Sequence, residues 1–485
     1  MGVVGLGYVG LPLTLLFSEE RFRVTGFDID NEKVERLNAG ESYIHRIEPE
    51  HIRAAKRAGF EATTDFSRVA ELDAVLICVP TPLHEDHTPD MSYVVSTMEA
   101  LGPHLHAGQL VVLESTTYPG TTEEIVVETI NRHGRGRGVS VLRDGVEGVS
   151  ELTRNGQETP GLKPLGAVAM DRGLKPAATP EPDAAPEPDA AAIQNDGRFA
   201  LDGTLDGVMV AFSPEREDPG NVVTPRRDIP KVIGGVDGRA SKAAEALYGT
   251  VFNRTVLMSS PAAAEMTKLL ENIYRCVNIA LVNEMNQLCH SMGIDVWEVI
   301  DAAATKPFGF QAFYPGPGVG GHCIPVDPFY LSWKAEQYGV PTRFIELAGE
   351  VNEAMPLHVV ETAARAMERN GVNLHGAKVL VLGVAYKKDV DDLRESPALT
   401  IIELLQKAGA TVAYNDPFFP TVGRGRKYDL NLTSTPLTQV GAFDCVLIAT
   451  DHSAYDYESI VREARLVVDS RNATRAIQSA KIVRC

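Results

Sequence analysis

The chain has no CxxC pair among its six cysteines, no apolar run of the roughly 18 residues that a membrane span needs, and no basic surplus. Cys78, Cys276, Cys289, Cys323, Cys445 and Cys485 are scattered along the chain. That spacing argues against structural zinc and fits a reducing cytosol. With no span and no signal peptide at the recorded start, the expected location is cytoplasmic and no membrane partner is expected. Lys and Arg number 46 against 65 Asp and Glu, a net charge of -19. Nucleic acid and anionic membranes demand a basic surface, so neither is a partner. Any phosphate bound here must meet local cations or backbone amides. What is present is ordinary for a soluble globular chain: 44% apolar residues over 485, enough for two or three domains.

Residues 1–30 read as strand, glycine turn, helix, strand. Gly5, Gly7 and Gly10 form GxGxxG, with Tyr8 and Val9 inside the turn. Such glycines allow a tight turn, close approach of backbone to a pyrophosphate, and close packing of helix on strand. The helix N-terminus then faces the phosphates. Asp28 follows Gly10 by 18 residues, where a carboxylate accepts both ribose hydroxyls and repels a 2′-phosphate, which favours NAD over NADP. Only residues 1–4 precede Gly5, short for a buried parallel strand, and a start farther upstream would lengthen it. Strands at 74–79 and 109–114 place VPTP (79–82, with Pro80 and Thr81) and STTYPGTT (115–122) at strand carboxyl ends, where open parallel sheets bind ligands. Thr116 is a candidate hydroxyl in the site or, alternatively, a helix cap. His84 and His87 lie in a polar loop without a third partner, so no metal site is expected.

From about 134 to 207 the pattern collapses. Residues 176–192 are Pro, Ala, Glu and Asp except for one Thr, a composition that cannot bury enough apolar surface to offset the entropy of ordering. A disordered surface insertion is expected between a helix at 122–132 and a strand at 208–212, with a docking segment as the alternative.

GVGGHCIPVD, residues 318–327, carries the principal chemical candidate. A thiolate is the strongest side-chain nucleophile near neutral pH, and three glycines would leave the approach to Cys323 open. The alternative is a buried, inert cysteine. Glu215 and Glu217 follow the strand at 208–212; a partly desolvated carboxylate there can activate water, whereas a solvated turn acid does not, and Glu215 is the better candidate. Helical periodicity covers 262–304 with a break near Gly293, and Lys268 and Asn272, four apart, share a face that can hold a developing alkoxide. A second strand, loop, helix, strand pattern begins at 377, with Lys387, Lys388, Asp389 and Arg394 in place of a second GxGxxG. That domain is expected to bind a different phosphate-bearing ligand.

Taken together, GLGYVGLP, VPTP, STTYPGTT, FSPERE, the Lys268/Asn272 helix, GVGGHCIPVDP and YKKDVDDLRES resemble the nucleotide-sugar 6-dehydrogenases, the UDP-glucose/UDP-N-acetylhexosamine dehydrogenase family. The resemblance implies an α/β fold of two Rossmann-like domains joined by a long central helix that also forms a homodimer interface. It implies an NAD-binding domain at 1–259 interrupted by 134–207, a central helical region with the cysteine loop at 260–355, and a UDP-sugar-binding domain at 356–485. The implied reaction oxidises a sugar C6 alcohol to a carboxylate with two NAD+ and no metal. Cys323 then corresponds to the nucleophile, Lys268 and Asn272 to the pair on the C6 oxygen, and Asp327 to an acid working with Lys268. Glu215 corresponds to the base for thioester hydrolysis and Thr116 to the hydroxyl holding that water. Gly5, Gly7, Tyr8, Val9, Gly10, Asp28, Pro80, Thr81, Thr116 and Arg394 are expected around the cofactor. Glu215, Lys268, Asn272, Gly320, Gly321 and Lys387 are expected around the sugar nucleotide. Residues 305–335 look most like enzymes acting on UDP-N-acetylglucosamine or its epimers, and FQAF at 310–313 replaces the arginine that the UDP-glucose branch often carries there. UDP-N-acetylmannosamine, UDP-N-acetylgalactosamine and UDP-glucose are the alternative substrates. A two-electron hydroxyacid dehydrogenase would not need Cys323, Glu215 or a second nucleotide domain; a non-catalytic sugar-nucleotide sensor would not need the reacting set.

Overall fold

The computed structural model describes residues 1–44, 47–84, 86–135, 139–141, 207–216, 224–321, 323–425 and 428–485. Apart from its flanks, the expected insertion lies outside the described residues, as does Glu217.

Short β-branched and aliphatic runs build an eight-stranded sheet from β1 (Gly2–Val4), β2 (Thr25–Phe27), β3 (Glu61–Thr63), β4 (Ala74–Ile77), β5 (Leu110–Leu113), β6 (Met209–Phe212), β7 (Lys231–Gly235) and β8 (Thr255–Met258). The order is β3-β2-β1-β4-β5-β6-β7-β8, parallel throughout except at β6–β7. Both faces are covered, so the strands read as continuous apolar runs instead of alternating ones. β1 is indeed only three residues long, yet it is an interior strand, third of the eight, paired along its whole length with β2 and β4. Its Val3 and Val4 are almost wholly buried, and strand pairing on both sides compensates for the missing length. Chain order reverses between β1 and β4, the position at which open α/β sheets form a ligand crevice.

A helix of 32 residues, Pro261–Met292, leaves this sheet. Its start is set by Ser260, which caps the Ala263 amide, and by a first-turn proline; its end is set by Gly293 in the left-handed region at φ 72°. The shorter helix Val296–Ala304 follows, so the expected break near Gly293 is present. The helix Asp327–Glu336 begins one turn after Cys323, and the helix Arg343–Arg369 packs along the long helix, where Asn352 donates to the Cys276 carbonyl and accepts from Asn283. Arg343–Arg369 runs straight through the expected boundary at 355/356. Its later half, Val359 to Met367, joins the core of the second sheet.

That sheet contains β9 (Lys378–Leu382), β10 (Thr411–Asn415), β13 (Cys445–Ile448), β14 (Val467–Asp469) and β15 (Ile482–Arg484) in the order β10-β9-β13-β14-β15, all parallel, with a hairpin of β11 (Thr421–Arg424) and β12 (Asp429–Thr433) beside it. The two sheets repeat one device. A Cβ at Gly5 (φ 89°) would lie 2.7 Å from the Cys78 carbonyl oxygen, and one at Gly383 (φ 79°) would lie 2.5 Å from that of Thr450. Asp28 accepts from the Leu6 amide at 3.0 Å, as Asp416 accepts from Val384 at 2.7 Å. In the second copy, however, the acid is occupied: His452, fully buried, contacts Asp416 at 3.1 Å. A ribose cannot take that place, which agrees with the missing second GxGxxG.

Candidate active site

A cavity of about 970 Å³ opens at the carboxyl ends of β1, β2, β4, β5 and β6 and is closed on its far side by the cysteine loop and by residues 391–396 of the C-terminal domain. Gly5, Gly7, Tyr8, Val9, Asp28, Pro80, Thr81, Thr116, Glu215, Lys268, Cys323 and Arg394 all line it. The structure thus brings together residues more than 300 positions apart. The three glycines of the turn divide their tasks. Gly5 needs a positive φ; a Cβ on Gly10 would lie 2.0 Å from the Gly5 carbonyl oxygen; Gly7 faces open space with nothing within 4 Å. Gly7 therefore leaves a cradle that a phosphate fills and a side chain would block. At the edge of β2, Asp28 is 7% exposed and holds Lys33 at 3.5 Å. Thr116 is not a helix cap, because the helical segment after it begins at Thr122 with Thr121 before it. Its carbonyl accepts from the buried Thr81 hydroxyl at 2.7 Å, joining the β4 and β5 loops.

The far wall centres on Cys323, whose carbonyl accepts from the Asp327 amide at 2.9 Å, so the thiol and the first residue of the next helix are fixed by one turn. Asn272 and Asp327 sit behind the lining, fully buried, and the Asn272 amide donates to Asp327 Oδ2. Desolvation pushes the Asp327 carboxyl up to about 7, against the opposing pull of Lys268, the Asn272 hydrogen bond and Arg275. Burial also raises the Cys323 thiol, with a further push from Asp327, while Lys268, Arg275 and Arg394 draw it back. Burial thus works against the thiolate, and the three cations are what favour it. Arg394 closes the cavity: its guanidinium lies 5.0 Å over the Tyr8 ring, forks onto Asp392 at 3.0 and 2.7 Å, and its carbonyl accepts from Gly321.

Three placements differ from the sequence reading, the first being Asn272, which was expected around the sugar nucleotide and is instead buried behind the cavity lining. The glycines of the cysteine loop do not open a path for substrate: a Cβ on Gly320 would lie 2.7 Å from Tyr386 Cβ, and one on Gly321 would lie 3.0 Å from the Tyr386 ring. They let the loop press against the C-terminal domain, and neither lines the cavity. Lys387 is half-buried and lines neither this cavity nor a second one of about 480 Å³, whose cations are Lys388, Arg471 and Arg475.

Several site groups were not foreseen. Glu114, at the end of β5, lines the cavity beside Glu215 and is buried with Lys231 at 2.5 Å and the Tyr248 hydroxyl. Lys231 also donates to the Pro214 carbonyl at 3.2 Å, and Arg216 is tied to Glu271 and to the Pro230 carbonyl. Both neighbours of Glu215 are thus anchored. Glu265 of the long helix accepts from the Gly120 and Thr122 amides and the Thr122 hydroxyl, fixing the loop that carries Thr116. The pairs made by Glu114 and Glu265 join residues more than a hundred positions apart, so no local pattern announces them. Arg275 had a signal: it follows Lys268 and Asn272 at i+7 and i+3, on the same helical face.

A dinucleotide cradle and a half-buried thiol flanked by a lysine in one cavity define an oxidoreductase that works on a bound cofactor. Residues 1–145, 262–354 and 380–476 match, respectively, the NAD binding, central and UDP binding domains of the UDP-glucose/GDP-mannose dehydrogenase family, and the chain belongs to that family. It is 32% identical to the UDP-N-acetyl-D-mannosamine dehydrogenase of Pyrococcus horikoshii, over 97% of this chain and 95% of that one. It is 31% identical to the NDP-N-acetyl-D-galactosaminuronic acid dehydrogenase of Ralstonia solanacearum, over 99% and 96%. The solved structure of the Pyrococcus horikoshii UDP-D-ManNAc dehydrogenase superposes with a TM-score of 0.76 at 29% identity, covering 100% of this chain and 98% of that one. The protein is an NAD-dependent nucleotide-sugar dehydrogenase. The open cradle at Gly7 and the carboxylate of Asp28 fit the cofactor. Among the described residues, no helix is long and apolar enough to cross a membrane.

Proposed function

We propose that the chain oxidises the C6 hydroxyl of a UDP-N-acetylhexosamine, UDP-N-acetylglucosamine foremost, to the carboxylate in two successive two-electron steps. What carries this reading is one cavity that holds Cys323, Lys268 and Glu215 together with the glycine turn. Held by the turn at Gly5 and Gly7 and by Asp28, NAD+ would supply the hydride acceptor for each oxidation. Lys268 and Asn272 hold the C6 oxygen as it loses its proton, with Asp327 sharing that proton with Lys268. The Cys323 sulfur bonds to the resulting aldehyde carbon, giving a thiohemiacetal whose oxidation leaves a thioester. Glu215 then takes a proton from water held at Thr116; the hydroxyl bonds to the acyl carbon, the C–S bond breaks, and the thiolate is released with the carboxylic acid.

For the nucleotide end, the second cavity combines Lys388, Arg471 and Arg475 with Trp297 stacked on Tyr314 at 5.2 Å. Arg471 reaches the cysteine loop, since a Cβ on Gly316 would lie 2.7 Å from its Nη1. The division of labour is then cofactor, Thr116 and Glu215 on 1–259, the cysteine loop and the long helix on 260–355, and the nucleotide chiefly on 356–485, in the cytoplasm, where a reduced thiol persists. The long helix leaves Met266, Leu270, Tyr274, Leu281, Leu288 and Met292 exposed along one face, a self-complementary stripe that supports a homodimer. The gluco epimer rests on the loop sequence at 305–335; the names of the relatives favour the manno epimer as the second reading.

The test is NADH formation at 340 nm with UDP-N-acetylglucosamine, UDP-N-acetylmannosamine, UDP-N-acetylgalactosamine and UDP-glucose, counted against product. Two NADH per acid supports four-electron oxidation; one would refute it. Cys323→Ser should abolish acid formation while NAD binding persists, and Glu215→Gln should accumulate a thioester visible as a mass increment on the protein.

A further inference from the structure

The long helix presents three polar groups to the reaction centre, and one has no role in the chemistry above. Lys268, Asn272 and Arg275 lie on one face of Pro261–Met292. Asn272 is fully buried, and both ends of its amide are engaged: the nitrogen donates to Asp327 Oδ2, and the oxygen accepts from Arg275 Nη2. An arginine can only donate, so it holds the amide oxygen toward itself and leaves the NH2 toward Asp327, whether or not that carboxyl carries its proton. Without the arginine, the amide oxygen would lose the partner it has among the described residues, and the side chain would be free to rotate by half a turn. The guanidinium also keeps an unused donor, because Arg275 Nε is buried and has no hydrogen-bond partner among the described residues.

We propose that Arg275 is a positioning residue of the active site: it locks the Asn272 side chain with its NH2 toward Asp327 and the substrate oxygen, and holds a positive charge beside Cys323. The role deepens the reading of C6 oxidation given above, and its test is built to stand apart from that reading. The groups facing Cys323 are Lys268 and Arg275 from the long helix, Asp327 from its own turn, and Arg394 from the C-terminal domain; Glu215 and Glu114 line the same cavity. Lys268 and Arg394 remain when Arg275 is replaced, so the effect on Cys323 is partial, whereas the effect on Asn272 is complete.

The experiment uses the full chain. Cys323 is alkylated with iodoacetamide across pH 6 to 10 without substrate and the site is confirmed by peptide mass, the other five cysteines being buried. For Arg275→Met, the pH midpoint of alkylation should rise by about half a unit or more. The kcat should fall by about tenfold or more, with KM for NAD+ within about twofold. Arg275→Lys keeps the charge but not the fork, so its alkylation midpoint should return close to wild type while kcat stays reduced. An arginine that only packs would leave midpoint and kcat unchanged in the folded fraction, and that result for Arg275→Met overturns the proposal. Should Arg275→Met not fold, Arg275→Lys decides alone: a kcat equal to wild type overturns it, and a reduced kcat with an unshifted midpoint supports it. A raised midpoint together with no NADH from any UDP-sugar would overturn the reaction assigned above and leave the charge effect of Arg275 standing.

Discussion

Asp327→Asn should make the protein more stable and less active, and the stability gain should depend on pH in a calculable way. Asp327 is 1% exposed, and burial carries its carboxyl from 3.8 to about 7. The native state therefore retains a proton that the unfolded chain releases above pH 4. Between pH 4 and 7 the native state binds more protons than the unfolded state, so this carboxyl removes stability as pH rises through that window and has no further effect above it. About three units at about 1.4 kcal/mol each gives about 4 kcal/mol, an upper value because Lys268 loses its counter-charge in the variant. Asparagine keeps the shape and the contact with Asn272 but does not titrate. The variant should match wild type at pH 5 to within about 1 kcal/mol and exceed it by about 2 to 3 kcal/mol at pH 8. Thermal or urea midpoints of the two proteins, measured side by side from pH 5 to 8, isolate this one group, since every other titration cancels. NADH formation should fall by about a hundredfold, the scale of a lost acid–base group. Parallel stability curves across that range would refute the claim that desolvation dominates at Asp327.

The glycine turn permits a contrast between two single-methyl additions. Gly7→Ala should fold as wild type, because nothing lies within 4 Å of the added Cβ, yet weaken NAD binding by about tenfold or more in a fluorescence titration, since the methyl occupies the phosphate cradle. Gly10→Ala places its Cβ 2.0 Å from the Gly5 carbonyl oxygen and should lower the melting midpoint as well as NAD affinity. Glu265→Ala leaves the Gly120 and Thr122 amides unmet and should cost about 3 kcal/mol; faster hydrogen exchange across residues 116–122 would show that this carboxylate fixes the loop.

How much of this was legible in sequence depended on whether the signal was local. GxGxxG with its acid, the helix ending at Gly293 and the second nucleotide fold all rest on spacings within about 30 residues, and all are present. The role of Gly320 and Gly321 was misread because a glycine permits close approach without saying what approaches; here it is Tyr386 of another domain, not substrate. Lys231 and Glu114 lie 117 positions apart, and only the antiparallel reversal between β6 and β7 brings them together. The ionisation of Cys323 was likewise invisible, because it depends on the balance between burial and three cations drawn from two different segments.

That balance has a consequence for when the thiol becomes reactive. Burial works against the charged forms of both Cys323 and Asp327, while Lys268 and Arg275 draw each of them back. The same cavity contains the glycine turn, so the oxidised cofactor would bring a further positive charge into the space that Cys323 lines. A unit charge about 6 Å from the sulfur, at an effective dielectric of about 20, is worth about 3 kcal/mol, or about two pH units. The reduced cofactor lacks that ring charge while filling nearly the same space. Saturating NAD+ should therefore lower the pH midpoint of Cys323 alkylation by about one unit or more relative to saturating NADH. Comparing the two bound forms removes steric shielding as an explanation, because shielding changes the rate and not the midpoint. Equal midpoints would mean that the thiol is activated by a protein group alone, with Lys268 the first to test by Lys268→Met.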